Sequence, residues 1–145
     1  MYPKILVFLQ FSLIILMLLF AKGFAAFFHH SIAFPLFIMG VSVGLWALNH
    51  NKVGNFNIQP KMKYNAQLIT TGIYGLIRHP MYTSVILIMA AVLISSFTLI
   101  ETLCFIALVI VLFLKAYREE SLWIKQDITY IVYKQNTKFF IPYIL

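Results

Sequence analysis

Charge is what this chain has least of. Only 10% of its 145 residues are Asp, Glu, Lys or Arg, against about a quarter in a soluble domain. That excludes an ordinary soluble fold. Disorder is excluded as well, because it needs low hydrophobicity and high charge, and 62% of these residues are hydrophobic. Cysteine is represented by Cys104 alone, so neither an intramolecular disulfide nor a cysteine-based metal site can form. The six glycines are Gly23, Gly40, Gly44, Gly54, Gly72 and Gly75. They include no G-x-G-x-x-G, and no strand–helix alternation surrounds them, which argues against a Rossmann fold.

Long apolar runs are plentiful. Ile5 to Ala21, Gly23 to Asn51, His79 to Ile100 and Thr102 to Leu114 are each free of Asp, Glu, Lys and Arg. A spanning helix takes about 20 residues, and these runs predict helices at about 5–28, 32–49, 82–99 and 101–116. Four such helices use roughly 80 residues, leaving room for one membrane-embedded domain over 1–145 and no second one. The expected architecture is therefore all-α and integral to the membrane, with about four transmembrane helices. A loop at 50–81 and a terminal segment at 117–145 complete it.

The eleven basic residues outnumber four acidic ones. With four spans, Lys4, Lys52, Lys61, Lys63, Arg78, Lys115, Arg118, Lys125, Lys134 and Lys138 share one side, and only Lys22 lies opposite. By the positive-inside rule the richer side is cytoplasmic and carries both termini. The expected setting is a bacterial cytoplasmic membrane, crossed several times. The basic excess then orients the chain and meets anionic lipid headgroups; nucleic acid is not an expected partner. Lys4, an apolar run and Phe24-Ala25-Ala26 imitate a signal peptide, but the charge split requires a retained first helix.

Two stretches are not membrane-like. Asn49 to Met81 forms a polar loop, long enough in so small a chain to suggest function. Tyr117 to the end intersperses Leu122, Ile124, Ile128, Ile131 and Val132 with Lys125, Gln126, Asp127 and Lys134. This predicts an amphipathic interfacial helix with Trp123, Tyr130 and Tyr133 as belt aromatics. On the other side, His29-His30 reads as interfacial histidines, since adjacent residues do not share a helix face; no metal is expected. Gly40-x-x-x-Gly44 reads as close helix packing within the chain. The helix interiors carry no ionisable group at mid-depth, which disfavours an ion-coupled transporter.

Arg78-His79-Pro80-Met81-Tyr82 sits where the loop enters the third helix. Pro80 suits a first-turn position, and the helix N-terminus beside Arg78, His79 and Tyr82 is a good place for an anion. By residue type alone the better reading is that Arg78 and His79 flank a membrane helix and Tyr82 is a belt aromatic. The order of the segment adds more: Leu68-Ile69-Thr70-Thr71-Gly72-Ile73-Tyr74, then RHPxY, then a hairpin, Glu119-Glu120, Leu122, Tyr130, Tyr133 and Ile141-Pro142. This resembles the isoprenylcysteine carboxyl methyltransferase family and its bacterial and phospholipid-methyltransferase relatives. The resemblance covers roughly residues 50–145.

It implies a non-Rossmann membrane methyltransferase that uses S-adenosylmethionine and acts on a small or lipid-like acceptor bearing a carboxyl, thiol or amine. It also implies roles. His79 or Arg78 would hold the cofactor carboxylate, and Glu119, with Glu120 beside it, its ammonium or a ribose hydroxyl. Tyr74, Tyr82, Tyr130 and Tyr133 would wall the adenine and face the sulfonium. Arg78, Glu119 and Lys115 are the candidate catalytic residues, Lys115 standing near the family's arginine one turn before Glu119. Ile73, Ser84, Lys115 and Gln126-Asp127 depart from the family pattern. The alternative is a non-catalytic membrane protein, either a degenerate relative or a helical interaction partner.

Overall fold

The structure, a computed structural model, describes residues 3–23, 28, 30–51 and 67–143. His29, Gly54, the Phe24-Ala25-Ala26 segment and Lys52, Lys61 and Lys63 of the loop lie outside the described residues. In chain order the elements are α1 (Pro3–Phe20), α2 (Ala33–His50), a 3-10 turn (Gly72–Gly75), α3 (Pro80–Ser96), α4 (Leu99–Gln126) and α5 (Thr129–Asn136). The fold is all-α. α1, α2 and α4 are long and apolar enough to cross a membrane, while α3 is equally apolar but shorter, at 17 residues.

Several boundaries differ from those expected. The first helix stops at Phe20 and does not run on to residue 28; Gly23 just beyond it has φ +88°, a left-handed backbone that a helix cannot continue through. The third helix occupies 80–96 in place of 82–99. Pro80 starts it because a missing N–H costs nothing there, and Phe97 ends it at φ 43°, donating its amide to the Leu93 carbonyl.

The fourth helix starts two residues early and ends ten residues late relative to the expected 101–116. A capping box opens it: Thr98 accepts from the Glu101 amide, and the Glu101 carboxylate accepts from the Thr98 amide and hydroxyl at 3.1 and 2.8 Å. No Gly or Pro interrupts 115–126, so nothing stops the helix at Lys115. Its 28 residues span about 42 Å, against a hydrocarbon core of about 30 Å. Charged residues crowd into 115–126, past the apolar stretch 102–114.

The expected interfacial helix is also redrawn. Trp123 belongs to α4, and the amphipathic element is the eight-residue α5. Asp127 separates the two, its carboxylate accepting from the Thr129 amide and hydroxyl. On α5, Ile128, Ile131 and Val132 are exposed, whereas Tyr130 and Tyr133 are buried. Tyr130 stacks on Trp123 with ring centroids 5.9 Å apart, so these tyrosines face the protein and not the headgroups.

Gly40 and Gly44 of α2 pack on α3. A Cβ at Gly40 would lie 2.8 Å from Ile88 Cγ1, and one at Gly44 would lie 2.6 Å from Ser84 Oγ. The pairing of 44 with 84 and 40 with 88 makes the helices antiparallel, and the Ser84 hydroxyl seals the contact by donating to the Gly40 carbonyl at 2.7 Å. The small-residue motif is used within the chain. Met17, Met89, Val92, Cys104, Leu108 and Leu112 form the buried core where α1, α3 and α4 meet. At one end the Lys22 amide donates to Ser96; at the other, the start of α3 and the C-terminal end of α4 lie side by side.

Candidate functional site

Gly72 begins the approach to the site. Its φ of +60° is left-handed, and a Cβ there would meet the His50 ring at 2.2 Å, so glycine is required twice over. The 3-10 turn that follows buries Ile73 against Ala47 and Ile77. The chain then runs as a short extended segment and pairs in parallel with residues near the C-terminus. Lys138 donates to the Leu76 carbonyl at 3.0 Å, Arg78 to the Lys138 carbonyl at 2.8 Å, and His79 to the Phe139 carbonyl at 3.3 Å. The Thr83 hydroxyl adds a bond to the Phe140 carbonyl. Phe139 and Phe140 pack on the His79 ring, with His79–Phe139 centroids 4.9 Å apart, and Phe113 packs on both phenylalanines. This clamp brings the RHPxY segment onto the end of α4.

Glu120 is the hub of that junction. Its Oε1 accepts from Arg78 Nε at 2.5 Å and lies 3.4 Å from His79 Nε2, and its Oε2 lies 2.7 Å from Lys134 Nζ. The side chain is 2% exposed. Burial pushes its pKa up. Hydrogen bonds from His79, Lys134 and Arg78, with the Arg78 charge, outweigh burial and hold it at about 2. Arg78 is equally committed: its Nη1 also donates to the Lys134 and Thr137 carbonyls, and its guanidinium lies 5.5 Å from the Phe139 ring centroid.

Glu119, one residue earlier, has different company. Its Oε1 accepts from the Tyr82 hydroxyl at 2.5 Å, and its Oε2 lies 3.7 Å from His79 Nδ1. The side chain keeps 23% of its surface exposed, and each carboxylate oxygen has lone pairs beyond those contacts. Desolvation raises its pKa against the pull of His79, Tyr82 and Lys115. Tyr82 stacks on His79 with centroids 5.7 Å apart, and Lys115 Nζ lies 5.1 Å from the Tyr82 ring centroid. Lys115 is 2% exposed and donates to Gln10 Oε1 of α1 at 2.5 Å.

All the candidate residues thus gather at one end of the bundle, in two layers. His79, Tyr82, Glu119 and Lys115 form one, in which Glu119 keeps an open edge at 23% exposed. Arg78 and Glu120 lie in the other, tied to α5. Tyr74, Tyr130 and Tyr133 flank the second layer: the Tyr133 hydroxyl donates to the Tyr74 carbonyl at 2.6 Å. Burial, then the Glu119 charge, pushes Tyr74 up to about 12, and burial raises Tyr130 and Tyr133 too. All three stay neutral at physiological pH. An open cleft of about 610 Å³ lies beside Tyr133, walled by Leu68, Thr70, Ile128, Thr129, Val132 and Asn136.

Sequence reasoning missed Lys134, Gln10 and the Phe113–Phe139–Phe140 cluster. Gln10 carried a signal, being an amide inside an apolar helix, where polar groups face inward. Lys134 and the phenylalanines carried none, because only the tail pairing brings them to the site.

Residues 28–126 match the family model for phospholipid methyltransferase. No curated protein matches the chain by sequence. The matched region takes in α2, which lies ahead of the resemblance over roughly residues 50–145. It stops at Gln126, before Tyr130, Tyr133 and Ile141-Pro142.

Proposed function

The chain belongs to the phospholipid methyltransferase family, a methyltransferase family of the isoprenylcysteine carboxyl methyltransferase-like type, and from that premise we propose that it uses S-adenosylmethionine. The transfer takes place at the cytoplasmic membrane face, onto a lipophilic or small acceptor bearing a carboxyl, thiol or amine. The observation that carries this reading is the meeting of His79 and Glu119, 3.7 Å apart although they come from separate stretches of chain.

The residues fit such a cofactor. Glu119 is a buried-edge carboxylate with unused lone pairs, suited to an ammonium or a ribose hydroxyl. His79 caps α3, whose N-terminal end favours a carboxylate. When bound, the cofactor supplies an electrophilic methyl group on a sulfonium. The chain's own residues hold, orient and exclude water. Tyr82, stacked on His79 and bonded to Glu119, fixes both groups, and Lys115 sets a positive potential behind them. An in-line displacement at a methyl carbon needs little acid–base help, so positioning supplies most of the rate. Glu120 and Arg78 act as positioning residues that hold the RHPxY segment on α4. The apolar cleft beside Tyr133 supports a lipophilic acceptor.

A non-catalytic role draws support from the ion pairs of Glu120 with Arg78 and Lys134, which use these charges without a ligand. Isothermal titration of the purified, folded chain with S-adenosylmethionine separates the two readings. Saturable binding that is lost in His79→Ala and Glu119→Ala and kept in His29→Ala is expected; no heat of binding at millimolar cofactor contradicts the proposal.

A further inference from the structure

Gln10 belongs to α1, ahead of the family-matched residues 28–126, yet it is buried and bonded to a residue of the site 105 positions away in sequence. Burying an amide in an apolar bundle is costly unless it is hydrogen-bonded. Burying an ammonium is costlier, and Lys115 is 2% exposed. Among the described residues no carboxylate lies within ion-pair distance of Lys115: the ion pairs involve Arg78, His79 and Lys134. Among the described residues it donates to the Gln10 carbonyl oxygen at 2.5 Å and lies 5.1 Å from the Tyr82 ring, near enough to Glu119 to act on its charge without pairing with it. Glu119 stands one turn along the same helix face, where i and i+4 side chains meet readily, and a lysine stem is long and flexible. Left free, the ammonium would swing to that carboxylate.

We infer that Gln10 is a positioning residue. It tethers the Lys115 ammonium to α1 and over the Tyr82 ring, and so keeps Lys115 from closing an ion pair on Glu119 and filling the carboxylate that a ligand must reach. The first helix is then a working part of the site and not only a membrane anchor. The inference rests on the proposed S-adenosylmethionine site and adds to it a residue from outside the family match.

The test is a double-mutant cycle read by isothermal titration of the full chain, in lipid nanodiscs, with S-adenosylmethionine. Gln10→Met removes the acceptor at similar volume and weakens Kd about tenfold, the coupling expected of polar groups in contact. Gln10→Glu keeps an acceptor oxygen and restores Kd to within about threefold. In a Lys115→Met background, Gln10→Met adds less than about twofold, since there is no ammonium left to release. A merely structural role for Gln10 would weaken binding equally in both backgrounds. Should Gln10→Met fail to fold, Gln10→Asn, whose shorter side chain withdraws the acceptor, is read in its place. Wild-type binding with an unaltered Gln10→Met overturns the positioning role alone; a wild-type chain that binds no cofactor takes down the underlying reading as well.

Discussion

Glu119 and Glu120 are consecutive on one helix, yet about 100° of helical rotation gives them opposite duties. Glu120 points into the junction and meets Arg78 and Lys134; Glu119 points toward Tyr82 and keeps an open edge. Glu120→Gln leaves two cations without their partner and is expected to cost about 3–5 kcal/mol of stability, measured by thermal unfolding in detergent. Because Glu120 is held at about 2, below the ordinary 4.5, its contribution is full above the unfolded value and disappears as pH falls from about 4.5 through about 2. The melting temperature of the wild type should drop across that window, and Glu120→Gln should lack the step. Glu119→Gln keeps shape and the bond to Tyr82, so it should unfold like the wild type while cofactor affinity falls about tenfold or more, the loss expected for a charge-assisted bond. The family resemblance placed Glu119 among the candidate catalytic and cofactor-binding residues, with Glu120 beside it. The hub role of Glu120 was not legible in the sequence, because its partner Lys134 arrives through α5.

At the scale of elements, the contact between α2 and α3 depends on two glycines and one serine. Gly44→Ala would drive a methyl to 2.6 Å from Ser84 Oγ and displace the bond to Gly40. Overpacking of this kind costs about 1–3 kcal/mol, visible as a lowered melting temperature. Tail docking is the second such contact: Phe140 is 3% exposed and packs on Phe113 and His79. Phe140→Ala should cost about 3–5 kcal/mol and weaken cofactor binding through His79. Apolar runs and flanking charges revealed the helices and their approximate spans. Their ends were less legible. Phe97 adopts a left-handed conformation that L-residues seldom take, and Lys115 is accommodated inside α4 by Gln10, a partner 105 residues distant. The parallel pairing of 76–79 with 138–139 is too short to leave any periodicity.

For the whole molecule, the described fold makes one end of a short helical bundle rich in polar contacts and leaves the rest to apolar packing. The family-matched residues supply His79, Tyr82, Lys115 and Glu119. On either side of them, α1 contributes Gln10 and the C-terminal tail contributes Lys134 and Phe140, so the site closes only when all three parts of the chain are folded together. The proposed function requires His79 and Glu119 to border one ligand. Photolabelling the folded chain with a photoactivatable S-adenosylmethionine analogue, followed by peptide mapping, tests it most directly. Label shared between the peptides carrying Arg78–Tyr82 and Lys115–Glu120, and competed away by unmodified cofactor, is the predicted result; competed label on neither of these peptides, or on only one of them, would contradict it.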